Sequence, residues 1–221
     1  IASSNPNNWL RLPFIKRDEA NRLIIKLEYT IRECKKYPGE IRSCKETFQL
    51  LYTESDGNLD NSNNNSFSES NFKYLKTIAP NSEAQTQQQQ QMQQYTTTTL
   101  TSSTSSSSSS SGSSNIFRTE VDLPLRTNKK GVYLVFRDQG ACVSLLSIRV
   151  FYTLCSTQIN NLVVYPKTPT GSNLTDLVQR SGLCIQNAET KTTPFAYCQT
   201  NGNWFFINSD ESTGANMCFC K

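Results

Sequence analysis

An all-β sandwich is the fold class that this 221-residue sequence predicts. Three observations carry it. Four segments read as strands, three of them aligning apolar residues with period two, no segment of useful length spaces apolar residues at 3.6, and turn punctuation (Pro38-Gly39, Asp56-Gly57, Asp138-Gln139-Gly140) falls between the segments. Period-two alternation puts successive side chains on opposite faces of a strand, so one face can pack on a core while the other meets solvent. Several such strands without helices form packed sheets.

The first predicted strand runs from Asn21 to Arg32. Leu23, Ile25, Leu27, Tyr29 and Ile31 share one face, and Lys26, Glu28, Thr30 and Arg32 the other. Glu46 to Tyr52 is the second, with Phe48, Leu50 and Tyr52 aligned. Gly131 to Arg137 is the third. Val143 to Tyr152 is the fourth, with Leu146, Ile148, Val150 and Tyr152 expected on one side. From Cys155 the texture changes to short, polar, Cys-bearing stretches, which predicts a small second module held by disulfides because its own core is thin. The expected division is 1–153 and 154–221.

Ser82 to Ser114 is almost entirely Gln, Thr and Ser, and Glu83 is its only charged residue. Such a stretch buries too little apolar surface to offset about 1–2 kcal/mol of backbone ordering per residue, so a low-complexity disordered insertion is expected. Inert expansion of a surface loop, which costs little, is preferred over an O-glycosylated or self-associating tract.

Composition excludes several functions. Lys plus Arg number 22 against 18 Asp plus Glu, a net charge of +4 that is too small an excess to argue for nucleic acid. With no His, neither Ser-His-Asp nor Cys-His machinery nor a His-ligated metal can exist within these residues. No apolar run approaches the ~18–20 residues that cross a bilayer. The first residues lack the apolar stretch of a signal peptide, so either a signal has been removed or the sequence is a piece of a longer chain.

Eight Cys remain to be explained. Cys218-Phe219-Cys220 is the only close pair, and its single intervening residue is too few for an ordinary zinc knuckle. There is no Cys-x-x-Cys motif for thiol chemistry. Structural disulfides in an oxidising compartment fit better, and the sequons at Asn64 and Asn173 fit the same compartment. Cys34 and Cys44 lie ten apart around a Pro38-Gly39 turn, where a bridge would add roughly 2–3 kcal/mol. The count alone leaves the pairing open. No metal or cofactor is expected.

Several motifs occur in a family order. Asn7-Asn8-Trp9-Leu10-Arg11, Tyr29-Thr30-Ile31-Arg32-Glu33-Cys34, Cys44-Lys45-Glu46-Thr47-Phe48 and Tyr52-Thr53-Glu54-Ser55-Asp56 resemble the Eph receptor ligand-binding domain. So do Thr77-Ile78-Ala79, Thr119-Glu120-Val121, the run from Lys129 to Cys142 and Ser147 to Tyr152. Pro166 to Gly171, Gly182-Leu183-Cys184, Tyr197-Cys198, Asn201 to Trp204 and Cys218 to Cys220 resemble the sushi-like module that follows in these receptors. The resemblance covers nearly everything outside Ser82–Ser114.

The resemblance implies an antiparallel jelly-roll β-sandwich (galactose-binding-like) whose partner is an ephrin, a membrane-anchored protein on a neighbouring cell. A loop of the ephrin would enter a channel on the receptor. Arg32 matches the family Arg that pairs with an acidic residue of that loop, a role suited to the fixed donor fork of a guanidinium. Phe117, Val143, Ser144 and Leu146 match channel residues. Cys34 and Cys44 match the disulfide beside the channel, while Cys155 would pair with Cys198 and Cys184 with Cys218. Cys142 and Cys220 match half-cystines whose partners would lie in strands before Asn7 and in a module after Lys221, so the sequence is expected to be a fragment truncated at both ends. It would be the extracellular part of a single-pass plasma-membrane receptor tyrosine kinase, without catalysis of its own, that clusters on cell contact. Two rivals stand: a kinase-less secreted or anchored adhesion or decoy protein, and a glycan-binding jelly-roll.

Overall fold

A computed structural model describes residues 6–34, 45–57, 69–80, 115–207 and 217–220. The expected tract at Ser82–Ser114, the Asn64 sequon and Cys44 lie outside the described residues.

Two antiparallel sheets face each other across one core. Strands β1 (Asn8–Arg11), β2 (Ile15–Lys16), β3 (Arg22–Ile31), β4 (Phe48–Ser55), β5 (Lys73–Ile78), β6 (Phe117–Pro124), β7 (Gly131–Asp138) and β8 (Val143–Phe151) build them. One sheet has the order β1-β7-β4-β5, with β2 also on β7; the other is β6-β3-β8. The described residues contain no α-helix; a 3-10 turn spans Glu69–Asn71.

The alternation in β3 places the core. Leu23, Ile25, Leu27, Tyr29 and Ile31 are all buried, as are Phe48, Leu50, Val132, Leu134 and Phe136 from the facing sheet. Each fully buried aliphatic side chain contributes about 1.5–3 kcal/mol. Strand β7 is buried on both faces, because Tyr133 and Val135 pack with Leu51 and Phe72 in a second cluster under Trp9 and Phe14. Arg137 stacks 4.9 Å over the Trp9 ring, so a charged stem closes this outer cluster.

Strand β8 departs from simple alternation. Glu28 pairs with Ser147 but Tyr29 with Leu145, so Leu146 is an extra residue in a β-bulge. Ile148, Val150 and Tyr152 pack on the core as expected. Leu146 does not: it is 52% exposed, turned to the outer face by the bulge.

Strands from β9 onward pair only among themselves. Strands β9 (Leu154–Cys155), β10 (Gln158–Asn160), β11 (Val163–Tyr165), β12 (Thr168–Pro169), β13 (Val178–Ser181), β14 (Leu183–Cys184), β15 (Ala188–Glu189), β16 (Phe195–Cys198), β17 (Trp204–Phe206) and β18 (Phe219–Cys220) are short. They form two three-stranded sheets, β10-β11-β14 and β13-β16-β17, and two ribbons, β9-β12 and β15-β18. Their core is small: Val163, Tyr165, Ala196 and Cys218 with Trp204 and Phe206 beside them. Disulfides Cys155–Cys198 and Cys184–Cys218 cross it, the pairs that the resemblance implies. Thr170 links the two sets of strands: its N–H donates to the carbonyl of Thr153, and its own carbonyl accepts from the Asn21 side chain at 3.0 Å.

Candidate functional site

The outer face of the β6-β3-β8 sheet divides into two zones. Along most of its length, cross-strand ion pairs join β3 to β6: Arg22 to Asp122 at 3.4 Å, Lys26 to Glu120 at 3.0 Å and Glu28 to Arg118 at 2.9 Å. In this ladder the register sets Lys26 opposite Glu120 and Glu28 opposite Arg118, while Arg22 reaches Asp122 diagonally, since Asp122 stands opposite Ile24.

At the other end of the face the ladder stops and apolar groups emerge. Ile116 is 51% exposed and Leu146 is 52% exposed. The β3–β6 register, continued one residue past the Tyr29–Phe117 pair, sets Ile116 opposite Thr30. Thr30 pairs on its other side with exposed Ser144. Arg32 lies just beyond, and its backbone N–H donates to the carbonyl of Cys142 at 3.4 Å. The zone therefore carries two exposed aliphatic side chains and two hydroxyls, with half-buried Arg32 at its rim.

Two connections frame it, the β7–β8 turn and the described ends of the β3–β4 connection. The Asp138 carboxylate accepts from the backbone N–H groups of Gly140 (3.1 Å) and Ala141 (2.7 Å), shaping the β7–β8 turn. Lys45 N–H donates to the Gly140 carbonyl at 3.3 Å, tying the segment before β4 to that turn. Glu46 accepts from the Cys34 N–H at 2.7 Å, tying it to the end of β3. Cys34 is disulfide-bonded.

The residues expected to line a channel do not share one surface. Ser144 and Leu146 are exposed on the outer face, and half-buried Arg32 follows the end of β3. Val143 points inward from β8 and lines a cleft of about 350 Å³ with Trp9, Leu10, Phe48, Phe136 and Leu145. Phe117 is 5% exposed and packs on the Tyr29 ring at 5.7 Å, so it supports the zone from the core side. Cys142 and Cys220, expected as half-cystines, carry free, exposed thiols here because every other described Cys is already bonded. Asn173 is exposed, and its side-chain amide donates to the Asp176 carboxylate at 3.2 Å. That carboxyl is held below the usual range by the Asn173 backbone N–H first, then by the Asn173 and Ser172 side chains.

The sequence reading missed Thr30 and Ile116 as members of the zone. Their signal was parity: Thr30 sits between inward Tyr29 and Ile31, and Ile116 precedes inward Phe117. Among the described residues, no group of three or more His, Cys, Asp or Glu is placed to hold a metal.

Residues 1–155 match the model of the ephrin receptor ligand binding domain. The chain belongs to this family. Residues 156–211 match the ephrin cysteine rich domain. Ephrin type-A receptor 4-B of Xenopus laevis is 35% identical over 204 residues, which is 92% of this chain and 18% of that receptor. Ephrin type-B receptor 3 of Gallus gallus is 36% identical over 205 residues, again 92% and 18%. Ephrin type-A receptor 7 of Gallus gallus is 33% identical over 223 residues, 100% of this chain and 19% of that receptor. The chain thus spans about a fifth of the length of these curated ephrin receptors.

Proposed function

We propose that this chain binds an ephrin through the Arg32 end of the β6-β3-β8 outer face. One observation carries the reading: exposed Ile116 and Leu146 flank Thr30 and Ser144, with Arg32 at the rim of the same zone. Single exposed aliphatic residues are ordinary on protein surfaces. Two beside an arginine, framed by the β7–β8 turn and the tied ends of the β3–β4 connection, match an interface in which apolar anchors seat a partner loop and a guanidinium holds its carboxylate.

The division at 153/154 belongs to the same proposal, with the sandwich as recognition module and the β9–β18 part as its disulfide-held neighbour. The whole protein is then a single-pass receptor tyrosine kinase, carrying this chain outside the cell, meeting a membrane-anchored ephrin and clustering on contact. Type-A and type-B ephrin receptors match at nearly equal identity, 35% and 36%, so identity assigns neither class of ligand. Asn64 and Asn173 are its N-glycosylation sites.

Titration of soluble ephrin ectodomains against the protein tests the binding. Saturable binding, weakened by Leu146→Asp but not by Lys76→Asp on the opposite sheet, is expected. Binding equally insensitive to both would place the interface elsewhere.

A further inference from the structure

The charged zone holds one cation that the ladder does not neutralise. Arg149 on β8 is exposed and has no ion-pair partner among the described residues. Its cross-strand neighbour on β3 is Lys26, another cation. Lys26 is already engaged: its ammonium is 3.0 Å from Glu120 and 5.4 Å from the centre of the Phe151 ring. Glu28 is likewise engaged by Arg118. Like charges directly opposite one another in a sheet are unfavourable, so this pair is a cost within the isolated fold.

The pair also borders an open groove of about 320 Å³, lined by Lys26, Glu28, Arg118, Glu120, Ser147 and Arg149. The bulge connects this groove to the recognition zone. By inserting Leu146, it brings Ser144 and Leu146 onto the same outer face as Arg149, three residues further along β8. Three residues of strand span about 10 Å, well within the footprint of a protein interface of about 800 Å² per partner.

We infer that a protein ligand seated at the Arg32 end extends along β8 and lays an acidic side chain into the groove against Arg149. The inference rests on the ephrin-binding reading and deepens it. Charge complementarity selects the occupant: a carboxylate is what two facing cations with no spare acid lack, and Arg149 offers it a donor fork. The site therefore selects among ephrins by the acidity of the segment that crosses β8.

The experiment titrates soluble ephrin ectodomains against the protein and its Arg149→Gln, Arg149→Glu and Arg32→Glu variants at low and high salt, with melting temperatures recorded alongside. Expected are a loss of affinity of about fivefold for Arg149→Gln and tenfold or more for Arg149→Glu, with a shallower salt dependence for Arg149→Gln. The melting temperature of Arg149→Gln should hold or rise, because its repulsion with Lys26 is gone, whereas a merely structural role would lower it. If both Arg149 variants bind within twofold of the parent while Arg32→Glu binds weakly, the inference is overturned and the ephrin reading stands. If the parent binds no ephrin, both fall together.

Discussion

The Tyr29 hydroxyl donates to the backbone carbonyl of Ala79 across 2.7 Å. The same ring carries Phe117 at 5.7 Å and Phe48 at 5.2 Å. The chain on either side of the 82–114 segment is thus fastened to a single buried residue of β3.

With both flanks held by Tyr29, the fold is expected not to need the segment. Deleting Ser82 to Ser114 should leave the melting temperature within a few degrees of the parent, since the cost of closing a loop changes only slowly with its length. Differential scanning calorimetry checks it, and a fall of many degrees would show that the deleted residues help hold the sandwich.

Burial raises the pKa of Tyr29 and of Tyr165 above the ordinary 10.0. In the unfolded chain these phenols lose their protons near pH 10, while in the fold they keep them. Stability should therefore be fully present below about pH 10 and decline as pH rises through the raised values. Urea denaturation across pH 8 to 11 measures this, and Tyr29→Phe should shrink the decline. That variant also lacks the bond to Ala79 and should be less stable at neutral pH by about 0.5–1.5 kcal/mol.

The small core around Val163 and Tyr165 depends on its cross-links. Disulfide Cys155–Cys198 joins residues 43 apart in sequence. Replacing both by Ala should destabilise the β9–β18 part by about 2–4 kcal/mol. Proteolysis should then cut first within residues 156–207, with the sandwich resisting longer; simultaneous loss of both would mean that the two parts unfold as one unit.

The sandwich was legible where alternation was long. The Asn21–Arg32 expectation coincides with β3 to within a residue at each end, because ten strand residues with one apolar face leave no other period. Strand β5 was not legible: Lys73, Tyr74, Lys76 and Thr77 are exposed on a sheet edge, where nothing demands an apolar pattern. Strand β1 is only four residues long, too short for periodicity to register. The face of Leu146 was misread because a bulge is a property of pairing between strands, not of one strand's sequence. Arg32 follows the end of β3 and is half-buried, and Ile116 and Thr30 come beside it only through the register of β6 on β3.

Recognition of an ephrin by the Arg32 end of the outer face underlies both proposals. The most direct measurement is the Kd of a soluble ephrin ectodomain for the protein and for Arg32→Glu, with melting curves to establish that both are folded. Turning a charged hydrogen bond into a repulsion should cost more than about 1.5 kcal/mol, a loss of over tenfold. Equal affinity for the two folded proteins, or no binding by the parent, would contradict the account.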